Sequence, residues 1–246
     1  MKNIWIIGAT TGIGKSLAEL FASQGHNLAI SGRNVKRLDK LISSLPNSNH
    51  ISAPMDVCKV GQIQKASKSI FSQWSKVDQV IFLAGIYQPM KINELDLKLV
   101  KDIIETNLIG AINLTNVILD DLISMGNVQF SFCASVAGYR GLPNSQPYGA
   151  SKAGLINFVQ SLNVEHGKEV DIRLINPGFV KTRLTDKNEF EMPMIITADQ
   201  AAKYIDKGLN SKKFEVHFPK KFSLILKLLN LLPTKLYNKI ARSLVE

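Results

Sequence analysis

Ile4-Trp5-Ile6-Ile7-Gly8-Ala9-Thr10-Thr11-Gly12-Ile13-Gly14-Lys15-Ser16-Leu17-Ala18 is the stretch on which the fold turns. Its four leading apolar residues read as a short strand buried on both faces. Three glycines then fall within seven residues, and a helical pattern begins at once. Glycine lets a backbone turn sharply and approach a ligand closely. A helix N-terminus adds free N–H groups and a positive dipole end, which suit a phosphate. The spacing is Gly-x-x-x-Gly-x-Gly, different from the more widespread Gly-x-Gly-x-x-Gly. It is also not a P-loop: Gly14-Lys15-Ser16 matches the end of one, but Ala9 stands where its first glycine would fall. A tight turn without a ligand is the plain alternative, and the position directly after the first strand favours a pyrophosphate.

Outward from this turn, strands alternate with helices. Short Ile- and Val-rich runs at 4–7, 28–30, 80–83, 128–134 and 172–175 predict buried strands, with shorter ones near 50–53 and 214–218. Helical stretches are predicted at 12–24, 34–45, 60–75, 97–124, 148–167 and 198–208. In 97–124, Leu97, Val100, Ile103, Ile104, Leu108 and Ile112 recur at helical spacing. Repeated β-α-β units with right-handed crossovers give an α/β fold with a doubly wound parallel sheet. One domain is expected over 1–219, followed by an amphipathic, basic helical extension over 220–246.

The 246 residues are 45% hydrophobic, enough for one large core. Cys58 and Cys133 form no metal-ligand spacing and no disulfide framework, which fits a reducing, cytoplasmic setting. No metal site is expected. The apolar start is too short for a signal peptide, and no uninterrupted apolar run reaches the ~18 residues of a membrane span. Net charge is +10, and eight Lys/Arg against two Glu place +6 of it from Lys212 onward. This is no basic stripe along the whole chain, so nucleic acid is not an expected partner.

The second strand ends in Ser31-Gly32-Arg33. Dinucleotide folds that take NAD place a carboxylate in this region to bind the ribose hydroxyls. Arg33 instead suits a 2′-phosphate, so NADP(H) is expected over NAD(H). Farther on, Tyr148-Gly149-Ala150-Ser151-Lys152 sets a phenol and an ammonium on one helix face, thirteen residues after Ser135. A neighbouring cation is expected to lower the phenol's pKa and let it move a proton near neutral pH. An isolated Tyr-x-x-x-Lys would more often be a packed ring beside a solvated amine. The glycine turn upstream gives the pair a reaction to serve.

Together these residues resemble the short-chain dehydrogenase/reductase family, in its short single-domain branch with a Rossmann sheet. The resemblance runs from position 3 to about 185. Gly8, Thr10, Thr11, Gly12, Ile13 and Gly14 match its cofactor loop. Asp56-Val57 matches the dipeptide that meets the adenine, and Leu83-Ala84-Gly85 matches an Asn-Ala-Gly segment. Asn107-Leu108-Ile109-Gly110 matches the motif with the catalytic Asn. Asn176-Pro177-Gly178, with Val180 and Thr182, matches the segment at the nicotinamide end. The chain departs at Ile7, where the family has Thr, and at Leu83, where it has Asn.

The resemblance implies hydride transfer between a nicotinamide and a carbonyl or secondary alcohol. Tyr148 would exchange the proton and Ser135 would hydrogen-bond the substrate oxygen. Lys152 would also bind the nicotinamide ribose, and Asn107 would hold a water joining Lys152 to solvent. In the family the segment after Thr182 covers the substrate. Here Phe190, Met192, Pro193, Met194, Ile195 and Ile196 make it apolar, which suits a hydrophobic substrate or simple packing. A homo-oligomer is expected. In the extension, 222–232 is strongly apolar, and Leu236, Tyr237, Ile240, Leu244 and Val245 share a helical spacing opposite Lys235, Lys239 and Arg242. It could pack on the domain, form a subunit interface or lie on an anionic membrane. The rival readings are a catalytically silent NADP-binding sensor and a membrane-surface scaffold.

Overall fold

A computed structural model describes residues 1–46, 49–188 and 190–242. Its main sheet has seven strands: β1 (Asn3–Ile7), β2 (Asn27–Ser31), β3 (Ile51–Ser52), β4 (Gln79–Phe82), β5 (Gln129–Cys133), β6 (Asp171–Pro177) and, last in the chain, Glu215–Phe218. A two-stranded ribbon of β7 (Val180–Lys181) and β8 (Ile196–Thr197) lies outside it, which makes Glu215–Phe218 β9. The order is β3-β2-β1-β4-β5-β6-β9, and every neighbouring pair is parallel. The doubly wound expectation holds.

Side chains alternate across a strand, so a strand covered on both faces must be apolar throughout. Trp5 and Ile7 enter one core, and Ile4 and Ile6 the other. The first core is closed by α3 (Val60–Gln73), α5 (Gly110–Met125) and α6 (Tyr148–His166), through Ile63, Leu114, Ile118 and Leu155. The second is closed by α1 (Gly12–Ser23), α2 (Val35–Ser44) and α7 (Ala198–Leu209), through Leu17, Phe21, Leu38 and Ile205. Each such fully buried side chain contributes roughly 1.5–3 kcal/mol.

The predicted helix 97–124 is not uniform. It consists of α4 (Leu97–Ile104), a π turn at Glu105–Ile109, and α5. Inserted π turns widen a helix locally and recur at functional positions. Over Leu97–Met125 this helix is long and apolar enough to cross a membrane by length and composition. Counting uninterrupted apolar runs does not single it out, and its Ala111, Leu114, Ile118 and Leu122 face the sheet.

The extension folds as α8 (Lys220–Asn230) and α9 (Thr234–Arg242), while Leu244 and Val245 lie outside the described residues. Both helices pack on the domain, the first of the three uses expected. Arg140 anchors them by donating from Nη1 to the carbonyls of Leu229 (3.0 Å), Asn230 (3.1 Å) and Leu232 (2.7 Å). The last carbonyls of a helix lack intrahelical partners, and a basic side chain satisfies them. The same guanidinium lies 3.9 Å from the Tyr237 ring centroid, and the Tyr237 hydroxyl donates to the Gly141 carbonyl. Arg140→Ala is expected to ease opening of 229–242 by about 1–3 kcal/mol. Hydrogen exchange should show faster amides there and unchanged protection in β1, β4 and β5.

Candidate active site

The chain leaves β1 and β4 toward opposite halves of the sheet, and such a switch point opens a crevice at the strand C-termini. Here the crevice is a cleft of about 650 Å³. One side is the glycine turn. Gly8 has φ +91°, and a β-carbon there would stand 2.8 Å from the Ala84 nitrogen. At Gly14 a β-carbon would stand 2.2 Å from the Gly8 carbonyl oxygen. Glycine is therefore required for β1, β4 and α1 to meet this closely. Thr11 precedes α1 without a side-chain cap, which leaves the helix's first N–H groups facing the cleft. This cradle fits the pyrophosphate of a dinucleotide.

Each cofactor-binding residue expected from the sequence lines this cleft: Gly8, Thr10, Thr11, Gly12, Ile13, Gly14, Arg33, Asp56, Val57, Ala84, Gly85, Pro177, Gly178, Val180 and Thr182, with Tyr148 and Lys152. Arg37, in the first turn of α2, joins Arg33, which stands just before the Asn34 cap. Its four-residue spacing from Arg33 is a signal visible in the sequence. Asn34 caps α2 by accepting from the Arg37 N–H at 3.0 Å. Asp56 Oδ1 accepts from the Cys58 N–H at 3.0 Å, which holds it in the turn before α3.

Ser135 follows β5, and Tyr148 opens α6 with Lys152 one turn later. All three line the cleft. The Ser135 hydroxyl accepts from the Ala137 N–H at 3.1 Å, which fixes its direction. The ring of Tyr87 packs edge-on against Tyr148 at 4.9 Å. Lys152 is 4% exposed, and its ammonium donates to the Cys133 carbonyl at 2.8 Å.

One expectation is corrected here. The Tyr148 phenol lies above its ordinary pKa, not below it. Burial is the main cause, the Cys133 side chain and Tyr87 add to it, and interaction with Ser135 opposes it. Lys152 does not lower it: the ammonium is turned to Cys133, 5.7 Å from the Tyr148 ring centroid, and burial pushes its own pKa down. Asn107 is not at the cleft wall. It is fully buried in the π turn behind Gly85, where a β-carbon would stand 3.3 Å from Asn107 Oδ1 and 3.6 Å from Lys152 Nζ. Its Oδ1 accepts from the Ile86 N–H (2.8 Å), and its Nδ2 donates to the Ile86 carbonyl and to Ser151 Oγ (both 3.0 Å). Asn107 thus ties the β4 loop to α6.

The apolar segment after Thr182 is pinned at its base by the β7–β8 ribbon. It is clasped to the β4 loop, where the Tyr87 hydroxyl donates to Asn188 Oδ1 (2.6 Å) and Lys187 donates to the Tyr87 carbonyl (2.9 Å). Phe190 reaches the cleft, Ile196 packs on the core, and Met194 and Ile195 stay partly exposed. Phe179 meets Phe190 at 5.7 Å and Phe222 of α8 at 5.4 Å. Phe222 also lines the cleft, a contribution from the extension that no local motif announces.

Glu215 of β9 lies under this wall. It accepts from the hydroxyl of Tyr139, from Asn176 Nδ2 (2.8 Å) and from the ammonium of Lys227 on α8. Burial alone would raise its pKa, but Lys227, Tyr139 and Asn176 outweigh burial and hold it below the ordinary value. A depressed carboxylate contributes stability in full above its unfolded pKa and loses it as pH falls through the folded value. Urea midpoints followed downward from the unfolded value of 4.5 should therefore fall faster for the native chain than for Glu215→Gln.

A model of the short chain dehydrogenase family matches residues 2–192, and the chain belongs to that family. An uncharacterized oxidoreductase of Myxococcus xanthus (strain DK1622) is 30% identical over 242 residues, covering 97% of this chain and 96% of that protein. A short chain dehydrogenase from Burkholderia cenocepacia J2315, solved with NADP, superposes with a TM-score of 0.84 at 20% identity over 97% of this chain and 96% of its own. A short chain dehydrogenase/reductase from Burkholderia phymatum, solved with NAD, gives 0.83 at 20% identity over 92% of each. At these identities both structures speak to the fold alone.

Proposed function

We propose that the chain is an NADP(H)-dependent oxidoreductase that reduces a carbonyl of a hydrophobic substrate, with Tyr148 as the proton donor. One observation carries this reading. The half-buried Tyr148, the oriented hydroxyl of Ser135 and the enclosed ammonium of Lys152 face the same cleft as the glycine cradle. A nicotinamide bound there supplies the hydride.

The protein's own part is binding, orientation and proton transfer. The glycine cradle and the α1 N-terminus hold the pyrophosphate. Arg33 and Arg37 supply two guanidiniums for a 2′-phosphate, a group that an NAD-binding carboxylate would repel. Of the two solved structures described above, one was obtained with NADP and the other with NAD, so the preference rests on these arginines. Pro177, Gly178, Val180 and Thr182 flank the reacting end.

Ser135 donates a hydrogen bond to the substrate oxygen as charge develops on it. Tyr148 then releases its proton to that oxygen. Held above its ordinary pKa, the phenol is protonated at neutral pH, the form that the acid of a reduction requires. Lys152, one turn from Tyr148, is placed to bind the nicotinamide ribose, and Asn107 positions α6 and the Ile86 backbone. Phe179, Phe190 and Phe222 exclude water and favour an apolar substrate.

Tyr148→Phe is expected to bind NADPH as the native chain does, by fluorescence titration, while carbonyl reduction falls by about 10²–10⁴-fold. Undiminished reduction of every accepted carbonyl would remove the assignment. Arg33→Ala is expected to raise KM for NADPH more than for NADH, and Arg33→Ala with Arg37→Ala to do so further. Equal changes for both cofactors would leave no case for NADP.

A further inference from the structure

Helix α8 turns one face inward and another outward. Inward, Phe222 lines the cleft and Ser223 is fully buried, with its hydroxyl 2.6 Å from His217 Nδ1. Outward, Leu224 is 49% exposed, Ile225 48%, Leu228 66% and Leu231 80%. Leu224, Leu228 and Leu231 follow the i, i+4, i+7 spacing of a single stripe. On α9, Leu236 is also exposed, 47%. A soluble surface carries isolated apolar side chains without consequence, but a contiguous stripe marks an interaction site.

The charge around the stripe selects its occupant. Residues 216–242 hold Lys220, Lys221, Lys227, Lys235, Lys239 and Arg242 and no Asp or Glu. Lys227 is committed to Glu215. Lys220, Lys221, Lys235, Lys239 and Arg242 are exposed. Burial, and then the nearby Lys213 and Lys227, push the Lys220 ammonium below its ordinary pKa. A second copy would bring the same cations against themselves, on a chain whose net charge is already +10. An anionic bilayer satisfies both features, because its acyl boundary takes the leucines and its headgroups take the lysines.

We propose that the α8–α9 face docks on an anionic lipid bilayer. Leu228 and Leu231, the most exposed of the stripe, enter the acyl boundary, and Lys235, Lys239 and Arg242 meet the headgroups. The opposite face of the docked helix forms the Phe222 wall of the cleft, so docking sets that wall directly beside the lipid surface.

The test is co-sedimentation of the full chain with phosphatidylcholine vesicles that contain or lack phosphatidylserine, at low and high salt. The native chain is expected to pellet with phosphatidylserine vesicles, to ignore pure phosphatidylcholine, and to be released by salt. L228E with L231E, and separately K235E with K239E, should weaken the partition by on the order of tenfold or more. Unchanged circular dichroism and thermal midpoints would show that both variants fold. Two results would overturn the proposal. One is native chain that stays in the supernatant, or folded variants that pellet as well as the native chain. The other is a native dimer that L228E with L231E turns into monomers without any vesicle binding, which would make this face a subunit interface.

Discussion

The contact between Gly8 and the β4–loop backbone is the constraint from which the rest follows. A β-carbon at Gly8 would lie 2.8 Å from the Ala84 nitrogen, and one at Gly14 would lie 2.2 Å from the Gly8 oxygen. Three backbones therefore converge on two missing side chains. The ends of β1 and β4 stay paired, with the Leu83 N–H donating to the Ile7 carbonyl at 2.8 Å, while their chains diverge. That divergence opens the cleft, and the same contact aims the first turn of α1 into it. Ile7 and Leu83 stand where the family has Thr and Asn. The backbone hydrogen bonds of this junction persist without those polar side chains.

At the other end the energetics run against charge. Burial raises the Tyr148 phenol and lowers the Lys152 ammonium, so each group is pushed toward its neutral form. A buried ammonium is tolerable only when its hydrogen-bonding capacity is met, and the Cys133 carbonyl meets part of it. A protonated phenol and a poorly solvated ammonium thus meet at this end of the cleft.

Much of this was legible in the sequence because the signals were local. Apolar runs covered on both faces fix the strands, and the glycine spacing fixes the turn. Tyr148 and Lys152 share a face because helix period requires it. What escaped was set by tertiary packing. The apolar spacing from Leu97 to Ile112 is that of an ordinary helix and gives no hint of the π turn at Asn107. The Tyr148 shift depends on burial, which spacing alone does not report. Arg37 is readable from its four-residue spacing to Arg33. Phe222 lies about seventy residues beyond Tyr148 and reaches the cleft only because β9 carries the chain back along β6.

That return explains why the extension belongs to the catalytic body and is no mere appendage. Glu215 sits on β9 and collects three donors from three places: Tyr139 beside Ser135, Asn176 beside Pro177-Gly178, and Lys227 on α8. A half-buried carboxylate is costly without partners and becomes a cross-link once it has them. Lys227 also lies 5.5 Å from the Tyr139 ring centroid, so the cation touches both ends of this link. A displacement of α8 must therefore strain the loop after Ser135, the strand before Gly178, or both. Whatever holds the outer face of α8 in place also bears, through Glu215 and Phe222, on the shape of the substrate end of the cleft.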